Sequence, residues 1–204
     1  DYNSTLKSYS QSTIITSQVR SDGNKAILRG TESLKNRKFV LENYSGIQMS
    51  VYPAWDNGFW PKTKPESMKD FYFNDDGLSE LVNWGIDNKM YLIHHCLFFP
   101  NKYFPEWFWK SDYSKDELNF ILKSYIKTIL ISNDNFRKVD AFNVINEIFL
   151  MNKGFYRETG DAAEDVKWMS LGYEEDKSGL DGEDKINDRH PVFIRKVLEE
   201  VRSL

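Results

Sequence analysis

The residue best suited to acid–base chemistry is Glu147, which directly follows a short apolar stretch at residues 139–146 (VDAFNVIN). If that stretch is a strand, the carboxyl lies at its end and is partly withdrawn from water. Desolvation raises the pKa of a carboxyl, so that it can donate a proton near neutral pH. A salt-bridged or solvated glutamate at a strand end is the alternative, and the residues alone leave both open.

Two adjacent histidines, His94 and His95, lie in a second apolar stretch at residues 90–99 (MYLIHHCLFF). Side chains alternate between the faces of a strand, so we expect one histidine inside a barrel and the other towards its helices. A histidine in such a stretch is either a hydrogen-bonded core residue or a functional one. No third histidine, cysteine or carboxylate stands at ligand spacing, so no metal site is predicted. No cofactor is expected either.

Tryptophans are concentrated in two stretches that follow apolar strands. Trp55 and Trp60 come after the second predicted strand, and Trp107 and Trp109 end the proline-bracketed stretch 100–109 (PNKYFPEWFW). Aromatic rings can stack on sugar rings, and they can equally pack over the rim of a fold. Both interpretations remain open.

The periodicity predicts strands that alternate with helices. The expected elements are a strand at 12–19, a short helix at 26–38, a strand running into a loop at 39–51, a helix at 76–88, a strand at 90–99, a helix after the capping box Ser114–Glu117, a strand at 139–146, a long polar loop, and a helix with Pro191 as its first residue. The acidic stretch 174–188 lacks the spacing of a calcium loop and is expected to be a solvated surface.

This alternation indicates an α/β fold with parallel strands, because a parallel pair needs a long crossover connection. We count four βα units in 204 residues, whereas a complete TIM (β/α)8 barrel usually needs about 250 residues. The chain is therefore expected to form one domain that holds the first four units of such a barrel. An open doubly wound sheet is the alternative, but no G-x-G-x-x-G follows the first strand.

Composition excludes some partners. The net charge is −4 with no basic stripe, so nucleic acid is not expected as a partner. No apolar run is long enough to span a membrane. The single cysteine, Cys96, cannot form an internal disulfide. Because the sequence opens with Asp1, we expect it to begin inside a longer chain.

Three stretches together resemble glycoside hydrolase family 10, the endo-1,4-β-xylanase family. Residues 139–147 (VDAFNVINE) are similar to the family's fourth strand, W-D-V-V-N-E. Residues 95–99 (HCLFF) and 105–108 (PEWF) resemble its H-T-L-V-W-H and P-x-W patterns. Downstream, Trp168, Leu171-Gly172-Tyr173-Glu174 and His190-Pro191 resemble the stretch that leads into its fourth helix. The match runs in order from about Glu42 to Leu204.

The resemblance implies a role for three residues. Glu147 would be the acid/base of a retaining glycosidase, Asn146 would hydrogen-bond the 2-hydroxyl of the sugar, and His95 would line the subsite beside the scissile bond. The family's nucleophile ends the seventh strand, so no residue of this sequence takes that role.

The sequence also departs from the family's pattern. The third-strand tryptophan and second histidine fall on Phe99 and Pro100. The second-strand E-N-x-M-K falls on residues 46–50 (GIQMS), which would remove contacts to the substrate.

Two functions therefore remain. The first is a retaining glycosidase that acts on a β-1,4-linked, xylan-like plant polysaccharide. The second is a non-catalytic sugar-binding relative. In both cases the expected partner is a polysaccharide or oligosaccharide, and the family implies a secreted or periplasmic location.

Overall fold

The computed structural model describes residues 5–9, 12–20, 26–50, 61, 63–71, 77–99, 104–148, 165–175 and 189–204. The helices are α1 (Leu6–Tyr9), α2 (Ser33–Asn43), α3 (Leu78–Asp87), α4 (Glu106–Lys110), α5 (Lys115–Ser132), α6 (Asp165–Met169) and α7 (Val192–Arg202). The strands are β1 (Thr16–Arg20), β2 (Gly46–Ser50), β3 (Tyr91–Phe98), β4 (Ala141–Ile145), β5 (Tyr173–Glu175) and β6 (Arg189–Pro191). Two 3-10 turns cover Met68–Asp70 and Asp134–Lys138.

The main sheet has the order β1-β2-β3-β4. The first three strands are parallel, and their register places Gly46 opposite both Thr16 and Tyr91. Between β3 and β4, the Asp140 N–H donates to the carbonyl of Leu92 and the Asn146 N–H to that of Phe98. Both bonds have the same sequence offset, which is the pattern of a parallel pair. This is the predicted α/β arrangement of four parallel strands with helices between them.

The described residues belong to two compact units. The first consists of Asp1–Tyr52, Asp75–Cys96 and Asn133–Asn143, and the second of Pro53–Asn74, Leu97–Ser132 and Val144–Leu204. The strands β3 and β4 each begin in the first unit and end in the second.

In the first unit, one face of the sheet packs against α3. Ile47, Met49 and Leu92 are buried on the sheet, and the helix contributes Leu78, Leu81 and Val82. A Cβ on Gly85 would lie 2.3 Å from Leu92 Cδ2, so a larger residue would require the buried Leu92 side chain to shift.

In the second unit, the core is an aromatic cluster around the end of β3. The ring centroid of Phe98 lies 5.3 Å from that of Trp168 and 5.9 Å from that of Phe193. The long helix α5 buries one apolar face, and the Tyr125 hydroxyl donates to the carbonyl of Leu97 at 2.7 Å. Edge-to-face and tilted ring contacts of this kind stabilise a core beyond their buried area.

Three predictions of local structure were wrong. Residues 39–43 continue α2 rather than start a strand, because a short apolar run does not by itself distinguish helix from strand. The polar loop after β4 contains α6 and the antiparallel pair β5-β6. Pro191 is the N-cap of α7 and not its first residue.

Candidate active site

The two adjacent histidines have different environments. His94 is fully buried, and its ring centroid lies 4.8 Å from that of Phe136. His95 is half-buried and pairs in register with Ser50 of β2. Register partners in a parallel sheet project from the same face, so His95 shares its face with Ser50, and His94 shares the buried face with Met49. The two histidines therefore lie on opposite faces of β3, as the alternation of side chains along a strand predicts.

His95 has a side-chain partner on the neighbouring strand. Its Nδ1 lies 2.8 Å from Nδ2 of Asn143 on β4, and both side chains are partly buried. The peptide bond between His95 and Cys96 is cis.

The same face of the sheet carries a second polar pair at its carboxyl-terminal end. Gln18 Nε2 of β1 donates to Ser50 Oγ of β2 at 2.6 Å. In parallel βα barrels the chemistry is located at this end of the strands. Ser50 is therefore level with His95 at the edge where a substrate would bind.

The register locates two of the departures from the family pattern, Gly46 and Ile47, within β2. Gly46 and Ile47 lie at the amino-terminal start of β2, and Ile47 is fully buried. A Cβ on Gly46 would lie 2.6 Å from the carbonyl oxygen of Tyr91, so no larger side chain fits there. The expected loss of the family's acidic and amide contacts at these two positions stays a prediction.

Glu147 lies two residues beyond the end of β4 and has an uncommon backbone conformation. Its φ is 51°, in the left-handed region that non-glycine residues rarely occupy. Such a conformation costs on the order of 1–3 kcal/mol and is concentrated at functional sites. The preceding residue, Asn146, is fixed by its N–H bond to Phe98.

The environment of the Glu147 side chain differs from the prediction. It is exposed and not partly withdrawn from water. The described residues therefore leave this carboxyl in contact with water.

Of the four tryptophans in the two stretches after the second and third strands, only Trp107 has a described side chain. The Trp107 indole N–H donates to the carbonyl of Pro61 at 2.7 Å, so a hydrogen bond within the second unit holds this ring. Trp55, Trp60 and the side chain of Trp109 lie outside the described residues.

No cluster of three metal-ligating side chains occurs among the residues that the structure describes. None of the described helices is long and apolar enough to cross a membrane.

Sequence reasoning did not predict the side-chain contacts of Asn143, Ser50 and Gln18. The available signal was a polar residue within a short apolar strand, as at Asn143 in AFNVI. Such a residue reveals its partner only when the register of the neighbouring strand is known.

Four parallel strands joined through helices, with a carboxyl just beyond the fourth, form part of a glycoside-hydrolase type of TIM barrel. The family model for glycosyl hydrolase family 10 matches residues 55–174, more than half of the chain. The chain belongs to this family. A comparison with curated proteins gave no match.

Solved structures have the same fold. An endoxylanase from a sugarcane soil metagenome is 18% identical, with a TM-score of 0.59 over 96% of this chain and 46% of its own. Xylanase 10C from Cellvibrio japonicus is 16% identical, with a TM-score of 0.64 over 93% and 34%. Xylanase 10B from Thermotoga petrophila, in complex with xylobiose, is 17% identical, with a TM-score of 0.64 over 98% and 50%. The chain thus spans half or less of the length of these relatives.

Proposed function

We propose that residues 1–204 are the N-terminal part of the catalytic domain of a retaining glycoside hydrolase that cleaves a β-1,4-linked, xylan-like polysaccharide. The observation that carries the proposal is Glu147, a carboxyl in a left-handed backbone conformation just beyond the fourth strand of a family 10 sheet. Solved xylanases with the same fold, one of them bound to xylobiose, support a carbohydrate substrate. The family implies that the protein is secreted or periplasmic.

In this mechanism Glu147 has two tasks. It first protonates the glycosidic oxygen as the bond breaks, and it then removes a proton from the water that hydrolyses the glycosyl-enzyme. An exposed carboxyl exchanges protons readily with solvent, which suits the second task. For the first task, a bound glycan has to displace water from around the carboxyl.

Asn146 and His95 would bind the sugar. The backbone of Asn146 is tied to β3 through Phe98, and its side-chain amide would bond the 2-hydroxyl. His95 would donate to a hydroxyl beside the scissile bond.

A retaining mechanism also needs a nucleophilic carboxylate about 5–5.5 Å from the acid/base. In the family it ends the seventh strand, and the described sheet contains four parallel strands. We therefore propose that catalysis requires residues beyond these 204.

The second candidate is a sugar-binding relative without catalysis. Phe99 favours it, because this residue stands where the family has a tryptophan and is buried, so it offers no ring to a sugar. Ser50 remains a further departure at the substrate end of β2.

The deciding experiment replaces Glu147 by alanine in the full-length protein. We expect hydrolysis of xylan, whose leaving group needs a proton, to fall by about 10²–10⁴-fold. An aryl glycoside with a good leaving group should still form the glycosyl-enzyme, because that step no longer depends on acid assistance. Its breakdown should be slow, and azide should restore turnover by replacing the missing base step.

Asp134→Ala is the matched control, since Asp134 is an exposed carboxyl whose only described ion pair is a long one to Arg137. It should leave both rates unchanged. Equal losses on both substrates in Glu147→Ala, without azide rescue, would exclude the acid/base role. Xylan binding without any hydrolysis by the wild-type protein would establish the non-catalytic candidate.

A further inference from the structure

The contact between His95 and Asn143 has a defined polarity. The amide nitrogen of Asn143, Nδ2, is the atom that lies 2.8 Å from Nδ1 of the imidazole. An amide NH₂ group carries only donor hydrogens, so it can bond only to a ring nitrogen that accepts. In a neutral imidazole one nitrogen accepts and the other carries the proton. With the amide nitrogen facing the ring, the proton of the neutral imidazole is assigned to Nε2.

The partner also affects the charge of the ring. A carboxylate at this distance would favour the imidazolium form, whereas an amide adds no charge and, when it donates, opposes protonation of Nδ1. Counting back three positions from Asn146, Asn143 stands where the W-D-V-V-N-E pattern has aspartate. This chain thus has a neutral donor at that position.

Asn143 is placed where it can fix the orientation of the His95 ring. It lies on β4 next to β3, in the same unit as His95, and both side chains are partly buried. A partly buried hydrogen bond between neighbouring strands restricts rotation of the ring about χ2, so Nε2 points away from β4.

We propose that Asn143 is a positioning residue that holds His95 as a neutral imidazole with its Nε2–H directed at a sugar hydroxyl. This inference rests on the proposed function for the identity of the ligand. The tautomer itself does not depend on hydrolysis and can be measured without substrate. Selectivity follows from the chemistry: a neutral N–H donor binds an uncharged hydroxyl, and it provides no cation for an acidic sugar.

The first test is the ¹⁵N NMR spectrum of the full-length protein labelled at histidine, with His95 assigned by its loss in His95→Gln. At a pH where the ring is neutral, wild-type His95 should show an unprotonated Nδ1 and a protonated Nε2. In Asn143→Asp the carboxylate can only accept, so the proton should move to Nδ1. In Asn143→Ala the two tautomers should mix. A protonated Nδ1 in the wild type would overturn the proposal, because the amide oxygen would then face the ring.

The second test compares kinetics of the same variants on xylo-oligosaccharides. Losing one oriented donor should lower kcat/KM by about three- to tenfold, mainly through KM. Asn143→Asp should show this loss with an unchanged melting temperature, whereas a purely structural role would lower the melting temperature without moving the tautomer. Wild-type KM in Asn143→Asp would overturn the positioning role. If the tautomers behave as expected but the wild-type protein hydrolyses no glycan, the proposed function fails and the assignment of the tautomer stands.

Discussion

Glu147 and Lys89 are the non-glycine residues with a left-handed backbone among those that the structure describes, with φ of 51° and 54°. For Lys89 the reason is local. The Lys89 N–H bonds the carbonyl of Ile86, and the Met90 N–H bonds that of Gly85. This pair of bonds is a Schellman motif at the end of α3, where glycine is the usual residue. Lys89 therefore has a conformation that a common helix ending requires.

No comparable helix ending accounts for Glu147, which follows a strand. Its left-handed backbone is a strain of the kind that is concentrated at functional sites, which agrees with the proposed acid/base role. This difference between the two positions can be measured.

We predict that Lys89→Gly and Glu147→Gly both relieve the steric cost of a left-handed conformation. The gain in the free energy of unfolding should be at most about 1 kcal/mol each, because glycine also increases the entropy of the unfolded chain. Urea unfolding of the full-length variants gives these values, with the alanine variants as references that retain the strain. Lys89→Gly should keep wild-type activity, whereas Glu147→Gly should lose it. A Glu147→Gly protein that is stabilised and still fully active on xylan would contradict the proposed role.

The start of α5 shows how one local motif acquires a long-range contact. The predicted capping box is present: the Ser114 N–H donates to Glu117 Oε2 at 2.9 Å, and the Glu117 N–H to Ser114 Oγ at 3.2 Å. Lys64, from the stretch before the first 3-10 turn, adds a bond to Glu117 Oε1 at 2.6 Å. The Lys64 ammonium, together with the bonds from Ser114, lowers the pKa of Glu117 to about 2.

The lowered pKa defines a pH dependence. The unfolded chain binds a proton at Glu117 near pH 4.5, and the folded chain binds it only near pH 2. The stabilisation is therefore complete above about pH 4.5 and is lost as the pH falls towards about 2. Glu117→Gln should lower the melting temperature at pH 7 and have little effect at pH 2, because glutamine keeps the capping box and loses only the charge.

Asp116→Asn, one residue earlier in the same helical turn, is the matched control for calorimetry at both pH values. An equal shift in Glu117→Gln at pH 7 and pH 2 would show that the charge of Glu117 does not contribute.

The whole chain spans half or less of the length of the xylanases that share its fold. A retaining glycosidase needs two carboxylates on opposite sides of the scissile bond, and only the acid/base is proposed among these residues. We predict that the 204 residues alone release no reducing sugar from xylan above a Glu147→Gln control. The measurement is reducing-sugar release by the purified chain over several hours. Release that disappears in the control would show that these residues contain both carboxylates.

The sequence alone determined the order of the four parallel strands, the helices that correspond to α2, α3, α5 and α7, and the position of Glu147 beyond the fourth strand. A parallel pair of strands needs a long crossover, so strands that alternate with helices were sufficient to predict the α/β class and part of a TIM barrel. The Ser114–Glu117 box was equally predictable, because its partners are three residues apart.

Only the tertiary structure decided which side chains meet. The bonds from Asn143 to His95 and from Gln18 to Ser50 join residues 48 and 32 positions apart. They depend on strand register, and no local pattern determines it. Register also places Gly46 opposite both Thr16 and Tyr91, and pairing between distant segments produced β5 and β6. Such contacts are chosen by the packing of the whole sheet, because many registers satisfy the local sequence and only one buries the correct face.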